Sequence, residues 1–149
     1  MIRTANEKDY PAITEIWEQS VRATHHFLPE DYLQYIKSIL PSILPEAELY
    51  VYEDALSGLA GFVGVAENKI EMLFIHPNVR GIGIGRLLTQ FAVDHLNAIK
   101  LDVNEQNEQA VGFYQKMNFK VTGRSEMDGM GKPFPLLHME LAGIHKIAQ

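Results

Sequence analysis

The segment His76–Leu88, HPNVRGIGIGRLL, constrains this chain more than any other. An apolar strand-like run, KIEMLFI, stops at a proline, three glycines follow at alternate positions, and an amphipathic helix begins at once. A strand that passes through bare backbone into a helix leaves the first helical amides without partners and aims the positive end of the helix dipole outward. Gly81, Gly83 and Gly85 carry no side chain, so a bulky anion can approach those amides closely, and Arg80 and Arg86 flank the loop with positive charge. The bland alternative is a turn that merely brings strand and helix close together. A phosphate or pyrophosphate is the ligand this loop suits.

The spacing narrows the choice. A Walker loop ends in Gly-Lys-Ser or Gly-Lys-Thr, absent here, and a dinucleotide fingerprint spaces its glycines G-x-G-x-x-G rather than G-x-G-x-G. Asp102 does lie about 20 residues on, as a ribose-binding acid would. However, the loop comes after two helices and a hairpin, which leaves a nicotinamide-dependent oxidoreductase as a remote alternative.

The rest of the chain supplies the frame. MIRTA reads as a short strand, and Asn6 caps a helix from about Lys8 to Thr24, with Ile13, Ile16, Trp17, Ser20 and Val21 at helical spacing. A second helix is expected from Pro29 to about Ile39, before two prolines. AELYVYED and LAGFVGVAE alternate as a hairpin, KIEMLFI is a further strand, and Ile84, Leu87, Leu88, Phe91, Ala92, His95 and Leu96 form one helical stripe. IKLDVN, NEQAVGFYQKM, FKVTGRSE and PLLHMEL follow as strand, helix and two strands. The order predicts one domain over residues 1–149, an α/β (α+β) fold with helices on both faces of a mostly antiparallel mixed sheet.

Composition excludes several functions. A net charge of −6, with no basic run, argues against nucleic acid as a partner. No apolar stretch reaches a membrane span and the N-terminal residues lack a signal-peptide core, so a cytoplasmic protein is expected. With zero cysteines, no acyl group can pass through a cysteine thioester. The histidines lack metal-ligand spacing, and no metal is expected.

Arg80-x-x-Gly83-x-Gly85 resembles the R/Q-x-x-G-x-G/A acyl-CoA-binding signature of the GNAT superfamily of N-acetyltransferases, in its usual place between the fourth strand and the third helix. The order of elements is also the family's, so the resemblance covers essentially the whole chain. It implies the GNAT fold, with six or seven strands and about four helices. It also implies acetyl-CoA as donor and a primary amine as acceptor: a small molecule, a peptide N-terminus or a lysine.

By this resemblance, the backbone from Gly81 through Ile82, Gly83, Ile84 and Gly85 to Arg86 holds the pyrophosphate. Leu73, Phe74 and Ile75 pair with the pantetheine arm, and a strand irregularity there frees an amide for the acyl oxygen. Asn104 and Asn107 hydrogen-bond the pantetheine, beside Ala110. From the residues alone, Asn104 is also an ordinary strand-end residue and Asn107 an ordinary helix cap. Tyr114, two helical turns from Asn107, faces the same way and is the candidate general acid for the departing thiolate.

The general base is open among Glu71, His25, His26 and water, with His138 a weaker candidate. His76, His95 and His145 read as loop, helix-face and tail residues. Trp17, His25, His26, Phe27 and Asp128 are expected to shape the acceptor site. A coenzyme-A-binding sensor without turnover is the alternative from another class. The sequence leaves monomer and homodimer equally open.

Overall fold

The computed structural model describes residues 1–143; His145 lies outside the described residues. Seven strands form one sheet in the order β1-β2-β3-β4-β5-β7-β6. These are β1 (Ile2–Thr4), β2 (Glu48–Asp54), β3 (Gly58–Ala66), β4 (Lys69–Ile75), β5 (Lys100–Asn104), β6 (Phe119–Ser125) and β7 (Leu136–Leu141). Every neighbouring pair is antiparallel except β4 and β5. Four helices flank it: α1 (Tyr10–Thr24), α2 (Glu30–Ile43), α3 (Ile84–Leu96) and α4 (Glu108–Lys116).

Two apolar layers hold the helices to opposite faces. Ile13, Ile16, Trp17 and Val21 of α1 and Leu33 and Leu40 of α2 pack on Leu49, Val51 and Phe62. On the other face Ile84, Leu88 and Ala92 of α3 and Tyr114 of α4 pack on Val63, Ile70, Leu101, Val103 and Met139. Burying each large aliphatic side chain contributes about 1.5–3 kcal/mol, so each layer outweighs the intrinsic propensity of its helices.

The expected end of α2 near Ile39 is corrected: the helix runs through Pro41 to Ile43. Leu40 and Leu44, 3% and 0% exposed, anchor that turn in the core, and Ser42 Oγ donates to the Ile39 carbonyl at 2.6 Å. Tertiary burial overrides the proline signal there. Lys8, expected inside the first helix, instead belongs to a short 3-10 turn, Glu7–Asp9, that Asn6 caps.

One feature of the sheet positions the site. The parallel pair β4 and β5 is joined only at Lys69↔Lys100 and Ile70↔Leu101. Beyond Ile70 the strands part, β4 staying with β3 up to Ile75 and β5 with β7 up to Asn104. On β3, Val65 pairs with Ile70 and Gly64 with Met72, which makes Glu71 the extra residue of a β-bulge. The bulge changes the alternation, so Ile70, Leu73 and Ile75 face the α3/α4 layer while Met72 and Phe74 face the α1/α2 layer.

Candidate active site

A cleft of about 360 Å³ opens where β4 and β5 part. Leu73, Phe74 and Ile75 form one wall, the loop Val79–Gly81 and the segment Gly83–Arg86 the floor, and Asn107, Gln109, Ala110, Phe113 and Tyr114 the opposite wall. Ser20, Thr24 and His25 close it from the end of α1. The free edge for an extended ligand at Leu73–Ile75 comes from the parting of the strands. The irregularity expected within these three residues lies earlier, at Glu71.

The glycine loop has the conformation that its bare backbone permits. Gly81 and Gly83 adopt φ of +82° and +94°, and nothing lies within 4 Å of where their Cβ atoms would be. Gly83 is the N-cap of α3 with no side-chain cap, so the first amides of that helix keep no capping partner. Arg80 Nη2 donates to Ser20 Oγ at 3.0 Å, which ties the loop to α1 and aims a guanidinium along the cleft. Burial draws that guanidinium below its ordinary pKa, because its charged form is held partly out of water. Ile82 is 67% exposed and outside the lining, so only its backbone belongs to the loop.

Tyr114 sits at the inner end. Its ring is 8% exposed and packs edge-on against Phe113 and Phe119, at 5.2 and 6.0 Å between centroids. Its hydroxyl makes no hydrogen bond among the described residues, and the residue lines the cleft. Burial pushes the phenol well above its ordinary pKa, so it stays protonated and is a standing donor. Asn107 caps α4 by accepting from the Ala110 amide at 3.2 Å and also lines the cleft. Asn104 stands outside the lining; its carbonyl accepts from the Asn107 amide at 3.0 Å, which holds the turn into α4.

The acceptor-side candidates separate. His25 lines the cleft, and its pKa is lowered to about 4 by burial, then by the charges of Arg80 and His26. Thr24 Oγ1 donates to the Ser20 carbonyl at 2.9 Å, so its 2.8 Å contact with His25 is donated by Nδ1–H. The lowered pKa makes His25 a far weaker base than a lysine amine of about 10.4, and so a poor acceptor for the proton of its ammonium. His26 is exposed and does not line the cleft.

Glu71, expected to reach the cleft, is exposed and lines a separate depression with Glu46, Glu48 and Glu67. The bulge turns it away from the parted strands. Trp17, expected at the acceptor site, is 5% exposed in the core between α1 and the sheet. Asp128, expected at the acceptor site, does not line the cleft and moors its own loop: it accepts from the Tyr32 hydroxyl at 2.5 Å and from the Met130 and Lys132 amides at 2.9 Å. That anchor pins the β6–β7 loop onto α2, where Phe134 stacks on Tyr32 at 5.6 Å and meets Phe27 at 5.8 Å. Phe27 reaches His25 at 5.3 Å, so an aromatic wall runs from the loop to the mouth of the cleft.

The sequence reading missed Ser20, Thr24 and Gln109. Ser20 and Thr24, four residues apart beside the core stripe of α1, carried a spatial signal; Gln109 had none. Among the described residues, no group of three or more His, Asp or Glu side chains is placed to hold a metal ion, and no helix is long and apolar enough to cross a membrane.

A helix N-terminus bared by glycine, the free edge of β4 and Tyr114 thus line one cleft. The chain belongs to the GNAT acetyltransferase family: the Acetyltransferase (GNAT) domain matches residues 14–142. It is 44% identical over 142 residues to the peptidyl-lysine N-acetyltransferase YjaB of Escherichia coli (strain K12), covering 95% of this chain and 97% of that protein. The solution structure of apo-form YjaB superposes with a TM-score of 0.87 at 43% identity, covering 96% of this chain and 97% of that one. The PaiA N-acetyltransferase of Thermoplasma acidophilum, solved in complex with coenzyme A, shares the fold at a TM-score of 0.71 and 21% identity, over 95% and 98% of the two chains. The chain is therefore an N-acetyltransferase, acting on amines.

Proposed function

We propose that the protein transfers the acetyl group of acetyl-CoA to lysine side chains of proteins or peptides, by direct attack of the amine within a ternary complex. The observation that carries this reading is the continuity of the cleft, from the amides at Gly83–Arg86 along the free edge of β4 to the Tyr114 hydroxyl. The Gly81–Arg86 backbone and Arg80 would hold the pyrophosphate, and Leu73–Ile75 and Asn107 the pantetheine. Tyr114 then donates to the departing thiolate. Its raised pKa makes full proton transfer to a thiolate of about 8.5 unfavourable in water, so its contribution is a charge-assisted hydrogen bond formed as the negative charge develops.

Lysine is favoured as acceptor by the peptidyl-lysine specificity named for the 44%-identical relative. The net charge of −6 suits a cationic substrate, and the aromatic row Phe134, Phe27 and His25, the last of which lines the cleft, suits a flexible aliphatic arm. With His25 held neutral near pKa 4 and Glu71 outside the cleft, the amine loses its proton to water before attack.

The test is mass spectrometry of lysine peptides, peptide N-termini and polyamines incubated with acetyl-CoA, alongside the release of free thiol. Acetylated lysine with matching thiol release supports the reading. Acetylation confined to polyamines or N-termini overturns the acceptor, and tight acetyl-CoA binding without any product overturns the reaction.

A further inference from the structure

Beyond the cleft, the sheet carries a second group of reactive side chains. On β5 to β7, the residues opposite the α3/α4 layer are polar: Asp102 on β5, His138 facing it on β7, and Ser125 two residues beyond Gly123 on β6. Helix α1 packs on β3 and β4 and α2 packs on α1, so these helices leave this part of the sheet partly exposed. Ser125 is half-buried, and the Asp102 and His138 side chains are 25% and 37% exposed. None of the three lines the cleft.

Their hydrogen bonds link the three side chains in one row. His138 Nδ1 lies 2.6 Å from Asp102 Oδ1, and His138 Nε2 lies 2.7 Å from Ser125 Oγ. Asp102 Oδ2 also accepts from Lys69 Nζ at 2.5 Å. Burial acts to raise the Asp102 pKa, but Lys69 and His138 outweigh it and hold the carboxyl below its ordinary value. An ionised carboxylate only accepts, so Nδ1 carries a proton; in the neutral imidazole Nε2 then presents its lone pair and Ser125 donates to it. This is the order of contacts that orients an imidazole to deprotonate a serine hydroxyl.

The backbone is arranged to allow the contact. A register shift between Val121 and Gly123 makes Thr122 the extra residue of a bulge, which brings Gly123 and Ser125 onto the same face as His138. The imidazole lies against Gly123, with its Cδ2 3.4 Å from where a Cβ would stand, and reaches past it to Ser125.

We propose that Ser125, His138 and Asp102 form a second, nucleophilic site, acylated on Ser125 Oγ by small activated esters and cleared by water. Ser125 Oγ bonds to the ester carbonyl carbon while its proton passes to His138 Nε2. The carbonyl–leaving-group bond breaks, the leaving group departs as an anion with its electron pair, and His138 releases its proton to water. Water attacks the acyl-serine by the same route, restoring the hydroxyl and releasing the carboxylic acid. Lys69 bridges Asp102 from the other side and keeps it ionised and in place; it touches neither Ser125 nor the imidazole among the assigned bonds.

The test uses the whole protein with p-nitrophenyl acetate and no acetyl-CoA. The expected result is a burst of p-nitrophenolate, with an acetyl group mapped to Ser125 in acid-quenched peptides. Ser125→Ala removes both and leaves acetyl-CoA-dependent amine acetylation unchanged. His138→Gln slows the acylation by about 10²-fold, the usual worth of a positioned base. Asp102→Asn slows it by at least tenfold, about 1.4 kcal/mol, because it no longer dictates the tautomer. Circular dichroism and acetyl-CoA thermal shift establish that each variant is folded, and if one fails, the other histidine-relay variant decides. Acetylation of Ser125 no faster than other surface hydroxyls, or at an equal rate in a folded His138 or Asp102 variant, overturns the proposal.

Discussion

Replacing Tyr114 by Phe removes one oxygen and leaves the ring, which makes it a clean probe of the acyl-transfer cleft. The ring's contacts with Phe113 and Phe119 are carbon contacts, and the hydroxyl has no protein partner among the described residues, so nothing is left unpaired by its loss. Thermal stability should stay equal or rise by up to about 1 kcal/mol, since a partly desolvated hydroxyl is no longer buried. Acetyl-CoA binding, measured by melting shift, should change little, because the pyrophosphate contacts proposed for it are with the glycine loop and not with Tyr114. The rate should fall. A hydrogen bond to a charged group contributes about 1.5–3 kcal/mol, so kcat drops by about 10- to 150-fold in a thiol-release assay at saturating acetyl-CoA and lysine peptide.

The same variant should change alkaline stability. Burial raises the folded-state pKa of Tyr114 above the unfolded value of about 10, so between the two the unfolded chain binds fewer protons and stability falls as pH rises. Tyr114→Phe removes that contribution to the fall and flattens the profile above about pH 10. Unchanged kcat with intact binding would refute the role given to the hydroxyl, and an unchanged alkaline profile would refute the desolvation.

Gly83→Ala places a side chain at φ +94°, which costs about 1–2 kcal/mol and lowers Tm by several degrees. Its Cβ projects into open space where the proposed pyrophosphate would lie, so the acetyl-CoA melting shift should shrink far more than Tm does. Asp128→Ala removes the acceptor for three donors that pin the β6–β7 loop. Hydrogen exchange over residues 126–135 should quicken and KM for the lysine peptide should rise, with the acetyl-CoA shift retained. The pH dependence of kcat/KM should follow the free amine, rising tenfold per unit from about pH 6 to 9. A plateau set by a group titrating near pH 6.5 would place a base in the cleft after all.

How far the sequence reached is seen by comparing two of its tyrosines. Tyr114 was legible because helical spacing from Asn107 fixes its direction, and direction within a helix is a local property. Tyr32 was not, because what matters about it is Asp128, 96 residues away, and the only local hint was a glycine-rich loop around that aspartate. Glu71 was misplaced for a related reason. Strict alternation gives a strand residue one face, and the bulge that reverses it is set by the pairing of β4 with β3. Trp17 shows the converse: its helical spacing with Ile13, Ile16 and Val21 already marked it as core, and reading it as an acceptor contact set that pattern aside.

The sequence by itself determined the order of elements, the bare glycine loop ahead of α3 and the direction of Tyr114, because turn chemistry and side-chain period act over a few residues at a time. The tertiary structure decided where β4 leaves β5, which carboxylates face the cleft, how the β6–β7 loop is moored, and the meeting of Asp102, His138 and Ser125. Those depend on register between strands far apart in the chain, and register is fixed only when every strand has found its neighbour.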